Sequence, residues 1–194
     1  MAHHPFNESY IGTPPWDIGR PQPEFVRVAQ EGGISGAVLD IGCGTGENAI
    51  FFAGIVPEVW GIDSAPLAIQ KARKKALERN VSVKFDVGDA LQLEGLKRKF
   101  DTITDCGLFH IFSDQERRLF VNSLRAGLSD AGTYFMLCFS DKEPTDWGGP
   151  RRVSKGEITD TFRRWKVNYI REARIYTTFH DEGGRGWLAS VTRV

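Results

Sequence analysis

VLDIGCGTGE, residues 38–47, decides the fold. An apolar run ends in Asp40, glycines follow at 42, 44 and 46, and Glu47 opens an amphipathic stretch. A chain with this pattern leaves a buried strand, turns tightly on residues that lack a Cβ, and enters a helix. Such a turn lets a ligand come close to the backbone, and the residues around it determine which kind.

Outward from that turn, short β-branched runs alternate with helical patterns, the signature of repeated βα units. AVLDI (37–41) is the first strand, and the helix after it runs over 47–55 with Ala49, Ile50, Phe52 and Ala53 on its apolar face. EVWGID (58–63) is the second strand. Ser64 is read as the N-cap of the next helix, with Pro66 in its first turn. That helix reaches Arg79, with Leu67, Ala68, Ala72, Ala76 and Leu77 inward and Lys71, Arg73, Lys74, Lys75 and Arg79 on a solvated face.

VSVKFDV (81–87), FDTITDC (100–106) and TYFMLCF (133–139) are strands three to five, with a helix from Ser113 and Asp114 to Leu128 between the last two. After a short helix over 155–164, WKVNYIREARIYTTF, the turn HDEGGRG (180–186) and WLASVTRV form an antiparallel hairpin. The fold expected is α/β: a Rossmann-like doubly wound sheet, mostly parallel, finishing in that C-terminal hairpin. Residues 1–35, rich in Pro and Gly and carrying Trp16, form an N-terminal flap with a short helix over 25–30.

The chain's 194 residues suit one domain, 1–194, of which 1–35 is the flap and 36–194 the sheet and helices. Lys plus Arg and Asp plus Glu number 25 each, so no global field draws the protein to nucleic acid or an anionic membrane. Cys43, Cys106 and Cys138 form no even set and no CxxC pair, and they read as reduced thiols. MAHHPFNESY lacks the pattern of a signal peptide, and no apolar run approaches the roughly 20 residues that cross a bilayer. A cytoplasmic monomer or weak homodimer is expected. His3 and His4, adjacent at a terminus, make a weak metal tract, and no metal site is expected.

The spacing of the glycines separates two kinds of ligand. A dinucleotide fingerprint has the form G-x-G-x-x-G, whereas Gly42, Gly44 and Gly46 give G-x-G-x-G followed by Glu47. A carboxylate at that helix start, with Asp40 beside it, competes with a pyrophosphate for the same amides. The loop therefore prefers a cationic or zwitterionic ligand, and S-adenosylmethionine fits. Asp63 lies about 20 residues beyond the loop at a strand's carboxyl end, where an acid accepts ribose hydroxyls. That role is common to NAD and adenosylmethionine, and the alternative is a helix cap. Asp89 in VGDAL is placed for the adenine amino group, with Ala90 supplying an amide, or else it is a surface turn residue. Cys43 faces the loop with nothing to activate its thiol and reads as a packing residue.

In VLDIGCGTGE, WGIDSA, VGDAL and FDTITDCGLFHIF, in that order, the chain resembles the class I adenosylmethionine-dependent methyltransferases over residues 36–140. TPPWDIGRPQPEF and DWGGPRRVSKGEI further resemble the tryptophan-bearing flap and GGP loop of small-molecule methyltransferases acting on thiols and halide ions, with the thiopurine enzymes more distant. Arg151 and Arg152 stand where that group has Pro and an aromatic after GGP. The resemblance implies a seven-stranded sheet with the last strand antiparallel. It implies cofactor contacts at Trp16, Asp40, Gly42, Cys43, Gly44, Gly46, Asp63, Ser64, Asp89, Ala90 and Asp105. Trp16 then covers the sulfonium, which an aromatic face attracts, or it is plain core.

Methyl transfer from a sulfonium is an in-line displacement, so alignment supplies most of the rate and a base is optional. Asp105 and His110, after strand four, are the candidate catalytic groups; His110 is either a base or substrate contact, or packing. Tyr10, Trp16, Phe109, His110, Trp147, Arg151 and Arg152 are the candidate acceptor contacts, the two arginines either anchoring an anion or facing water. Asp105-Cys106-Gly107-Leu108 lacks the Pro-Pro-aromatic grip of amino-methylating enzymes, and no cysteine follows a proline as cytosine-carbon methylation needs. The expected activity is methyl transfer to a small thiol, halide, phenol or quinol. The alternatives are a non-catalytic module that binds the cofactor or its demethylated product, and a nicotinamide-dependent oxidoreductase.

Overall fold

Seven strands form the centre of the computed structural model, which describes residues 6–144 and 148–194. They are β1 Ala37–Ile41, β2 Glu58–Asp63, β3 Lys84–Val87, β4 Phe100–Cys106, β5 Leu128–Phe139, β6 Lys166–Thr177 and β7 His180–Thr192. The helices are α1 Pro23–Gln30, α2 Glu47–Phe52, α3 Pro66–Glu78, α4 Asp114–Gly127 and α5 Lys155–Thr161. The sheet order is β3-β2-β1-β4-β5-β7-β6. The first five strands are parallel, and β7 runs antiparallel between β5 and β6. The expected doubly wound sheet with a terminal hairpin is the one observed.

Alternation along the strands feeds two cores. Leu39, Ile41 and Ile103 join Tyr134, Met136 and Cys138 beneath α4 and α5, against Phe120, Leu124 and Ile158. Val38, Val59, Phe135 and Leu137 pack on the other side against Phe25 and Val28 of α1, Ala49 and Phe52 of α2, and Ile69 and Ala72 of α3. Helices on both faces explain why the central strands read as continuous apolar runs. Ser113 and Glu116 start α4 with a reciprocal capping box, and Ser154 and Glu157 do the same for α5.

Several boundaries move from those read in sequence. HDEGGRG is not the hairpin turn: Thr177 pairs with His180 across Thr178 and Phe179, and the glycine-rich segment lies within β7. Close packing explains it, since a Cβ on Gly186 would stand 2.8 Å from the carbonyl oxygen of Cys138. Strand three begins at Lys84 rather than 81, and α2 ends at Phe52 rather than 55. β5 begins at Leu128, which pairs with Phe100 across a bulge. Leu77, expected inward, is 82% exposed. Ser64 does not cap α3; Ala65 occupies that position, and its N–H is taken by Asp63 Oδ1 at 2.8 Å. Among the described residues no helix is long and apolar enough to cross a membrane.

Candidate functional site

Strand order reverses between β1 and β4, and the carboxyl ends of the strands there open a crevice, the usual ligand position in a doubly wound sheet. Asp40 of β1, Asp63 of β2 and Asp105 of β4 all lie at this crest, each at most 8% exposed. Above them runs the glycine loop, in which Gly42, Gly44 and Gly46 have φ of 61°, 54° and 87°. Gly46 cannot be replaced: besides its positive φ, a Cβ there would meet Phe85 at 2.6 Å.

Three of the loop's amides are already engaged. Cys43 N–H donates to the Ile62 carbonyl, Gly46 N–H to the Cys43 carbonyl, and Gly44 N–H to Asp63 Oδ2 at 2.9 Å. A phosphate seated on this turn would have to displace those bonds. Glu47 plays a different part from the one read in sequence. Its carboxylate faces α3, taking Lys75 Nζ at 2.7 Å and both Arg79 terminal nitrogens at 2.7 and 3.0 Å, so its charge is neutralised away from the loop. The loop disfavours a polyanion through its three occupied donors rather than through Glu47. Lys75 and Arg79, read as a solvated basic face, are thus structural partners of the loop.

Asp40 supplies the fit for a cationic group. Oδ1 accepts the Thr104 hydroxyl at 2.8 Å, while Oδ2 is buried with no hydrogen-bond partner among the described residues. Burial, together with Asp105 and Asp63 nearby and only partly opposed by the Thr104 hydroxyl and the Ala49 backbone N–H, pushes its carboxyl up to about 7. An ammonium or sulfonium at this crest relieves both the orphaned oxygen and the crowded negative charge.

The flap closes over the loop. The Tyr10 hydroxyl lies 3.1 Å from where a Gly44 Cβ would stand, and it accepts the Trp16 indole N–H at 2.9 Å. Trp16 is 43% exposed and meets Phe6 and Tyr10 edge to face, so it is a cover rather than core. Asp17 takes the Thr45 hydroxyl at 2.7 Å, and Gln22 pairs through its side chain with both backbone groups of Tyr176.

Past β4 the candidates separate. Asp105 is fully enclosed: the Leu108 and Phe109 N–H groups donate at 2.7 and 2.9 Å and the Tyr134 hydroxyl at 2.7 Å. Burial raises its carboxyl to about 7 against those three bonds. It orders the turn after β4, and Tyr134, hidden in an apolar strand pattern, is its unforeseen partner. Phe109 is fully buried against Phe120 and Phe162, with the Arg117 guanidinium 4.3 Å over its ring. His110 lies against Gly107, stacks on Phe139 at 5.4 Å, and accepts the Phe139 N–H through Nδ1 at 3.2 Å. Burial, then Arg152 and Arg117, drive its ring pKa down to about 3. So held, the His110 Nδ1 is already occupied by a backbone donor.

Arg151 pairs with Asp114 at 2.6 Å and with Glu157. Arg152 turns inward, 5.3 Å over the Phe139 ring. Asp89 is exposed and bonds its own turn through Leu91 N–H and Gln92, with Ala90 buried behind it. Cys43 and the other two cysteines are unpaired thiols, and burial raises the Cys43 thiol further. Trp147 lies outside the described residues. No group of three or more His, Cys, Asp or Glu able to hold a metal occurs among the described residues.

Comparison with known proteins places relatives around this geometry. Residues 38–132 match the family model described as a methyltransferase domain. The chain is 35% identical over 184 residues to a 2-heptyl-1-hydroxyquinolin-4(1H)-one methyltransferase of Mycobacteroides abscessus, covering 92% of this chain and 81% of that one. It is 30% identical over 149 residues to a probable thiol methyltransferase 2 of Arabidopsis thaliana, covering 75% and 65%. A solved structure reported for the conversion of a disulfide bond into a thioacetal group during echinomycin biosynthesis superposes with a TM-score of 0.84 at 34% identity. That match covers 96% of this chain and 88% of the other.

Proposed function

Because this chain belongs to the class I S-adenosylmethionine-dependent methyltransferases, we propose that it methylates a small-molecule acceptor at a thiol, a halide or a phenol or quinol oxygen. The observation that carries the reading is the crest itself: an orphaned Asp40 oxygen under a glycine loop with three of its amides occupied, closed by Tyr10 and Trp16. Bound there, the cofactor supplies a methyl group made electrophilic by the adjoining sulfonium.

In this reading Asp40 faces the cationic arm, Asp63 accepts from the ribose while bracing Gly44, and Ser64, Asp89 and Ala90 border the adenine. Tyr10 and Trp16 exclude water from above, and the acceptor enters beside Gly107 and His110. The acceptor chemistry agrees with that named for two relatives, a hydroxyquinolone enzyme and a probable thiol enzyme. The whole of residues 1–194 acts as one unit, with the flap as its lid.

A radiolabelled methyl-transfer screen over thiols, phenols, quinols and halides, run beside calorimetric titration with S-adenosylhomocysteine, tests the proposal. Micromolar binding of the homocysteine product with label transferred to at least one of those classes supports it. Tight binding without transfer to any of them favours a non-catalytic binding module instead.

A further inference from the structure

The crest carries opposite charge on its two sides. Asp40 and Asp63 lie under the glycine loop. Past β4 the charged groups around His110 are cationic: Arg117 from α4, and Arg152 from the segment before α5. The carboxylates near them are otherwise engaged. Glu157 takes Arg117 at 3.1 Å together with Arg151, Glu143 accepts the Arg185 N–H and approaches His180, and Asp105 holds the turn beneath. His180 meets the other ring packed here, Phe139, at 6.4 Å.

Geometry also fixes the proton on His110. β4 ends at Cys106, and beyond it His110 Nδ1 accepts the Phe139 N–H. A nitrogen that accepts an N–H carries no proton of its own, so the neutral ring is protonated at Nε2. That nitrogen lies beside Gly107, 3.4 Å from where a Cβ would stand, and no described residue accepts its proton. Protonating the ring would set two N–H groups against each other. His110 is therefore a fixed hydrogen-bond donor.

Resting on the methyl-transfer reading above, we propose that the acceptor binds as its anion, an ionised thiol or acidic hydroxyl, and that the His110 Nε2–H donates a hydrogen bond to it. The acceptor gives its proton to water, not to the enzyme. Its lone pair forms the new bond to the methyl carbon as the carbon–sulfur bond breaks with its electrons on sulfur. A cation and an anion thereby give two neutral products, and no proton acceptor is required in the site. Acceptors whose own acidity lies near or below neutrality are the matching class, whereas unactivated alcohols and amines are excluded.

The test uses the whole chain with bound S-adenosylhomocysteine and 4-nitrophenol or 4-nitrothiophenol, whose anions absorb visible light. Titrating pH and reading the anion band is expected to show the bound acceptor ionising at least tenfold more readily than in water. With S-adenosylmethionine, the midpoint of the pH–rate profile is expected to move with acceptor acidity along a series of substituted thiophenols. His110→Gln keeps both an acceptor for Phe139 and a donor, and is expected to retain the band shift, whereas His110→Phe loses it. An acceptor that binds neutral, or a midpoint that stays fixed along the series, overturns the inference while leaving methyl transfer standing. Failure to bind S-adenosylhomocysteine overturns the methyl-transfer reading itself and this inference with it.

Discussion

Thr104 donates its hydroxyl to Asp40 Oδ1 at 2.8 Å across the β1–β4 pair, and nothing described reaches Oδ2. The bond fixes the carboxyl's orientation without neutralising it, so the apo protein holds an acid at the crest that burial makes reluctant to ionise. Burial pushes the Asp40 and Asp105 carboxyls up to about 7 from their ordinary 3.8. Between those values the folded state holds protons that the unfolded state has released, so stability falls as pH rises from about 4 to about 7 and levels above that. Asp40→Asn is expected to flatten this decline and to raise the apo Tm at pH 8 by about 2–4 °C, the shift per kcal/mol for a chain of this size. The same change is expected to weaken S-adenosylmethionine at least tenfold. Thermal melts across pH with paired calorimetry check both, and an Asn variant with unchanged affinity would remove Asp40 from the site.

Asp63 holds two backbone groups at once, Gly44 N–H at 2.9 Å and Ala65 N–H at 2.8 Å. Loss of a charge-assisted bond costs about 1.5–3 kcal/mol, so Asp63→Ala is expected to raise the cofactor dissociation constant at least tenfold. Because the same oxygens brace the loop, the Tm is expected to fall as well. Asp63→Asn, which keeps one acceptor oxygen, is expected to lie between the two; calorimetry and melting curves on the three proteins give the order.

What could be read from sequence was what depends on neighbours along the chain. The glycine spacing located the loop, strand runs alternating with helical patterns located the parallel sheet, and Asp40 and Asp63 were read at the carboxyl ends of their strands. What escaped depends on partners far along the chain. Glu47 meets Lys75 and Arg79 across 28 and 32 residues, and periodicity assigns a lysine to solvent without knowing that a carboxylate waits for it. Tyr134 reaches Asp105 across 29 residues, and His110 is fixed by a backbone N–H equally distant. Glycines mislead in β7 because close packing against Cys138 requires the same residue that a turn does.

Trp16 exposes 43% of its surface, yet it closes the flap by bonding Tyr10. Little burial is lost when a residue so exposed is removed, so Trp16→Ala is expected to lower the Tm by no more than about 2–4 °C, a kcal/mol equivalent for this size. Cofactor or acceptor affinity is expected to fall at least fivefold. A large loss of Tm with normal affinity would return Trp16 to a purely structural part.

Lys75 links the flap to the loop through a shared charge network. Its Nζ donates to Glu47 at 2.7 Å, to Thr45 Oγ1 at 2.6 Å and to Asp17 at 3.4 Å, while Asp17 also accepts the Thr45 hydroxyl. Burial alone would push the Glu47 carboxyl up, but the bonds from Arg79 and Lys75 reverse this and hold it below its ordinary range. A depressed carboxyl contributes stability that is present above its unfolded value of about 4.5 and is lost as pH falls through the folded one. Lys75→Met is therefore expected to lower the Tm at pH 7 and to matter progressively less below about pH 4.5. Asp17 loses its cation in the same variant, so amides of the flap are expected to exchange faster with deuterium, while those of the core strand β4 keep their protection. In a double-mutant cycle with Asp17→Asn, a coupling of about 0.5 kcal/mol or more would place the latch between these two residues, and simple additivity would dissolve it.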